Sequence, residues 1–145
     1  MLGILGGDDR CPIARSLDVL GEKWTLLVVR DALAGSTRFG QFQASLGIPR
    51  DVLAARLATL VEGGVLDRRS YREEGSRTRD EYVLTDAGRE LAVVLLALGD
   101  WADRHRPSER AANLTFVDAD TGERVHAAAT AGDRVVDRVE ARVRG

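Results

Sequence analysis

Eight arginines fall between residues 38 and 79, against five acidic side chains. That is a net charge of +3 inside a chain of 145 residues whose total is −2. Residues 1–37 sum to −1 and residues 80–145 to −4, so an acidic whole conceals a basic middle. A guanidinium is a planar fork of donors that matches phosphate oxygens and the O6/N7 edge of guanine. A polyanion is the partner such a segment suits.

The arginines differ in what surrounds them. Arg50 opens a stretch whose apolar positions, Leu53, Leu57 and Leu60, repeat at helical spacing, leaving Asp51, Ala54, Ala55, Ala58 and Thr59 on the opposite side. On a helix laid in a major groove, Arg50 could reach guanine or a phosphate, and Asp51 could accept from cytosine N4 or orient an arginine. Ala54 and Ala55 would allow close approach to a thymine methyl, with Arg56 on the flank. Such a helix of 13 residues is roughly 20 Å long. The bland alternative is a solvated face with an Arg50–Asp51 charge pair. Arg72, Arg77 and Arg79 bracket a polar segment with Gly75 at which the chain can turn, and suit phosphates or a minor groove. Balanced by Glu73 and Glu74, the same segment reads as a solvated loop. Arg38 is either a phosphate anchor or half of a structural ion pair.

The elements that must hold these groups follow from apolar spacing and turn residues. Residues 12–20 predict a short helix with Pro12 at its first position, and residues 22–34 a buried central helix including Trp24. Phe39, Phe42 and Leu46 predict a two-turn helix, followed by Gly47-Ile48-Pro49 and the helix from Arg50 to Gly63-Gly64. Helix, three-residue turn and helix are a helix-turn-helix signature, placed at 39–62. Val65–Tyr71 and Asp80–Leu84 predict a β-hairpin over 65–84. Thr85 suits the N-cap of a helix running over 85–105. Ala92–Leu98 is apolar all round, so a second copy of the chain is expected on Leu91, Leu95 and Leu98. Beyond Pro107, segments 113–118 and 123–128 predict a second hairpin. Val135, Val136, Val139 and Val143 predict an amphipathic helix over 132–143, with Val135 and Val139 assisting dimerisation. The fold class is thus mainly α with a small β content. It comprises an arm over 1–10, a domain over 11–106 and an extension over 107–145.

Other chemistries are poorly served. One cysteine and two histidines exclude an intramolecular disulfide and Cys-rich or multi-His metal centres. No phosphate-binding loop precedes the single lysine, Lys23, and no cofactor is expected. Cys11 lacks a nearby histidine for a thiol enzyme, so the chain is not expected to be an enzyme. The longest apolar run, Leu91–Leu98, is far too short to span a bilayer, and the start is a poor signal peptide; a cytoplasmic, nucleoid-associated protein is expected. Cys11 sits at a helix N-terminus whose dipole favours a negative, reactive sulfur, flanked by Arg10 and Arg15. It is either an oxidant or electrophile sensor or a small inert hydrophobe. Trp24 and Trp101 are candidates for a small-molecule effector pocket, or for core and dimer interface. His105 and His126 read as surface residues.

Cys11-Pro12, the run Leu20-Gly21-Glu22-Lys23-Trp24-Thr25-Leu26-Leu27, Arg38-Phe39 and Phe42 together resemble HxlR-type regulators. So do Leu53, Arg56-Leu57, Gly64 and Leu84-Thr85-x-x-Gly88-x-x-Leu91. The resemblance spans Cys11 to His105. It implies a bacterial winged helix-turn-helix transcription regulator, distantly MarR-like, acting as a homodimer on a palindromic double-stranded DNA operator. Some members sense oxidants through an N-terminal cysteine. A winged-helix interaction module without DNA binding is the alternative.

Overall fold

The computed structural model describes residues 10–142. Residues 1–9 of the expected arm over 1–10, and Val143, therefore lie outside the described residues. The chain divides into two compact units, at Ala92–Val93.

The first unit contains α1 (Pro12–Leu20), α2 (Thr25–Leu33), α3 (Phe39–Leu46), α4 (Arg50–Glu62), β1 (Leu66–Tyr71) and β2 (Arg79–Leu84). The start of α5 (Asp86–His105) completes it. Leu53, Leu57 and Leu60 are fully buried on α4, facing Val28 and Val29 of α2, Phe42 of α3, and Leu66 of β1 in one core. Burial of each such leucine contributes about 1.5–3 kcal/mol. Gly47 ends α3 in the left-handed conformation, at φ 63°, and the next residue, Ile48, plugs into the core at 2% exposure. Pro49 then caps α4 with φ −57°. The turn Gly47-Ile48-Pro49 thus sets the angle between two helices by a free φ, an apolar anchor and a fixed φ.

β1 and β2 pair antiparallel, from Leu66 opposite Leu84 to Tyr71 opposite Arg79, and form the wing. The chain before α3 runs beside β2: Tyr82 N–H donates to Thr37 O at 2.7 Å, and Arg38 bridges to Glu81. The hairpin is thereby tied to the base of α3. Thr85 caps α5 as its type predicts, accepting from Gly88 N–H at 3.0 Å and donating to Gly64 O at 2.6 Å.

One detail of the first unit corrects the sequence reading. α2 begins at Thr25 rather than at 22, because Trp24 holds φ 81°, the only positive φ outside glycine among the described residues. The helix is largely buried as expected, down to one of its interior charges. Asp31 is buried, and one of its oxygens accepts two bonds from Arg30, at 2.8 and 2.9 Å.

The second unit holds the rest of α5 and the C-terminal extension. Among the described residues of the segment 132–143, where a helix is expected, none forms. Ala129–Ala131 and Arg134–Val136 instead pair as β3 and β4 around Gly132-Asp133. Gly132 has φ 61°, the left-handed turn geometry that a two-residue hairpin needs at its first loop position. Valines prefer strands, and a turn glycine just before them decides the matter. Val139 follows β4 in irregular chain. The hairpin expected over 113–128 shrinks to one bridge, Val117 with Arg124. Asp118 N–H donates to Glu123 O at 2.8 Å and Val125 N–H to Phe116 O at 3.1 Å, flanking the bridge. The turn between is held by the Asp118 carboxylate, which accepts from Asp120 N–H and Thr121 N–H at 2.7 and 3.1 Å. The same segment fastens to α5 through Asp100, which accepts from Ala127 N–H at 2.7 Å and contacts His126 Nδ1 at 3.2 Å. These bonds, the backbone one foremost, hold the Asp100 carboxyl below its ordinary range.

Candidate nucleic-acid interface

α4 presents two faces. The buried leucines fix one; Asp51, Ala54, Ala55 and Ala58 make up the exposed other, with nothing larger than an aspartate along it. Arg50 at its N-terminus is exposed but not adrift. Its guanidinium carbon lies 4.8 Å from the Phe39 ring centroid, and Nη1 is 3.4 Å from Gln43 Oε1. Both holding residues belong to α3, so the helix-turn-helix angle places the arginine.

Between α3, the α4 N-terminus and the wing lies an open cleft of about 860 Å³, lined by Arg38, Arg50, Arg77 and Arg79 with Phe39, Tyr71, Asp80 and Tyr82 among others. Arg77 and Arg79 form no ion pair among the described residues and are exposed. Arg38 lies 4.3 Å from the Tyr71 ring centroid and pairs with Glu73 at 2.7 Å. A hydrogen bond and the charge of Glu73 hold its guanidinium protonated even more firmly than usual. Four arginines from three elements thus converge on one concave surface.

Two expected members stand elsewhere. Arg56 points away from the exposed alanine face. Its side chain is 21% exposed and faces Glu22 at 3.9 Å, beside Asp18 and Glu62. Arg72 closes the wing loop, donating from Nε to Ser76 O at 3.0 Å. Sequence reading missed Phe39, Gln43, Tyr71 and Glu73. Aromatics next to arginines were the available signal, but the stacking partners are exchanged. Arg38 stacks on Tyr71 and Arg50 on Phe39, pairings that only the tertiary fold sets.

The other candidates are placed as follows. Cys11 is half-buried at the α1 N-terminus, where its Sγ accepts from Ala14 N–H at 3.4 Å. Trp24 is half-buried beside Lys23 Nζ, 5.3 Å from its ring centroid. On α5, Trp101 is half exposed and lies 5.2 Å from the His105 ring. Leu91 and Leu95 are half-buried; Leu98 is exposed, as are Val93 and Val94. Val135 and Val139 are exposed.

The profile of the HxlR-like helix-turn-helix family matches residues 19–110. The chain belongs to that family. An HTH-type transcriptional regulator of Mycobacterium tuberculosis is 45% identical over 95 residues, which cover 66% of this chain and 59% of the relative. The chain thus spans about three fifths of the length of that relative. Among solved structures, PA1607, described as a candidate transcription factor, superposes with a TM-score of 0.75 at 42% identity, covering 87% of each chain. The redox regulator HypR in its reduced form gives a TM-score of 0.59 at 29% identity, over 66% of this chain and 94% of its own. The HxlR-like fold, a winged helix-turn-helix, is therefore the frame in which the basic cleft sits.

Proposed function

We propose that this chain is a sequence-specific DNA-binding regulator acting as a homodimer on a palindromic operator. The convergence of Arg38, Arg50, Arg77 and Arg79 on one cleft carries the reading. In it, the Ala54/Ala55 face of α4 enters a major groove, whose width of ~12 Å admits a helix. Arg50 reads a guanine, and Asp51 accepts from a cytosine or steadies an arginine. Arg77 and Arg79 lie along phosphates or in the neighbouring minor groove. The exposed Val93, Val94, Leu98 and Trp101 of α5 are what a second copy covers, with recognition helices about one DNA turn, ~34 Å, apart.

The test is fluorescence anisotropy with a duplex selected from random DNA and a scrambled control, at about 50 and 200 mM salt. Tight binding to the selected duplex, weakening steeply with salt, is the expected result. Absence of binding to either at low salt favours the interaction-module alternative.

We further propose Cys11, the single cysteine, as the point of control by an oxidant or electrophile, a reading that similarity to a redox regulator supports. Cys11 is half-buried rather than buried, and a maleimide should modify it in the folded protein and weaken operator binding. Modification only after unfolding would remove Cys11 from the mechanism.

A further inference from the structure

Arg38 is held on several sides. Its backbone bridges to Glu81, its N–H donates to Gln41 Oε1 at 3.0 Å, and its guanidinium stacks on Tyr71. Its remaining partner is Glu73, whose Oε1 lies 2.7 Å from Nη1. Glu73 is itself placed by the wing loop: its carbonyl accepts from Ser76 N–H at 3.0 Å, and Arg72 donates to Ser76 O. Both members of the pair are about half exposed, at 43% and 57%, so another anion can reach the guanidinium and compete with the carboxylate.

The carboxylate sits on an arginine of the cleft whose guanidinium is already oriented by Tyr71, beside Arg77 and Arg79. A carboxylate and a phosphodiester each offer two anionic oxygens to the same fork. We propose that Glu73 is an internal stand-in for a DNA phosphate, occupying Arg38 in the free protein and setting the affinity by having to be displaced. The proposal rests on the DNA-binding reading above. An arginine already neutralised by Glu73 adds little to salt-dependent binding; freed, it adds one phosphate contact and the counterion released with it.

Glu74, adjacent and exposed, makes no ion pair among the described residues and supplies a control with the same change of charge. A fluorescein-labelled random duplex of about 30 bp suffices as probe, since phosphate contacts ignore sequence. Glu73→Gln should bind it about fivefold more tightly at low salt. The slope of log affinity against log salt should also steepen by about 0.9. Glu74→Gln should change affinity less than about twofold through distant charge alone. In an Arg38→Gln background, Glu73→Gln should do no more than Glu74→Gln. Equal effects of the two glutamate variants, or weaker binding by a Glu73→Gln protein of unchanged melting temperature, would overturn the proposal. If the wild type binds and Glu73→Gln is indistinguishable from it, only the phosphate stand-in falls. If neither binds at any salt, the DNA-binding reading falls with it.

Discussion

Gly88→Ala is expected to destabilise the fold by about 2–4 kcal/mol, although alanine is the better helix former. A Cβ at position 88 would lie 2.2 Å from Val65 O and 2.9 Å from Leu84 Cδ2. Neither neighbour can simply yield. Val65 O is held by Thr85 N–H at 3.1 Å and by the Thr85 hydroxyl, while Leu84 closes the wing opposite Leu66. The first turn of α5 must therefore shift, which also breaks the cap from Gly88 N–H to Thr85, a loss of about 1 kcal/mol. Gly40, inside α3, is the contrast: nothing lies within 4 Å of its would-be Cβ. Gly40→Ala should be neutral or stabilising by up to about 1 kcal/mol. Urea or thermal unfolding of both variants measures this directly; equal stability would show that α5 approaches the wing less closely than described.

The same glycine shows why some of this chain is legible without coordinates. Leu84-Thr85-x-x-Gly88 is a strand end, a cap and a contact in consecutive roles, and each role restricts residue type. The leucines of α4 are legible for a similar reason, since only a one-sided burden of burial imposes their spacing. Where two structures satisfy one spacing, the reading fails. Val135, Val136, Val139 and Val143 fit an amphipathic helix by position, yet Gly132-Asp133 turns the chain so that Val135 and Val136 pair with Thr130 and Ala129. Side-chain partners were less legible still. The arginine positions could be named, but nothing along the chain says that Arg56 turns to Glu22, or that Arg38 crosses to the wing to meet Tyr71 and Glu73. Those choices belong to packing between elements distant in sequence.

The largest effect on recognition is expected at Arg50. Stacked on Phe39 and in reach of Gln43, its guanidinium has lost much of its rotational freedom before any ligand arrives. The small side chains of Ala54 and Ala55 let the helix approach closely enough for that fork to meet a base edge. Arg50→Ala should therefore cost about 1–3 kcal/mol on the selected operator, roughly tenfold to a hundredfold. It should relax preference at one base pair and leave random DNA nearly untouched. Arg77→Gln and Arg79→Gln should act differently, weakening selected and random duplexes alike and each flattening the salt slope by about 0.9. Arg56→Gln removes the same charge as either, but from the side of α4 that faces Glu22. It should leave the salt slope unchanged and alter stability by less than about 1 kcal/mol. Anisotropy titrations of the four variants at two salt concentrations separate these roles. A slope change for Arg56→Gln equal to that for Arg77→Gln would mean that the flank of α4, not the cleft, meets the backbone. A uniform loss for Arg50→Ala on both duplexes would make it one more phosphate contact and leave sequence reading to Asp51 and the alanine face.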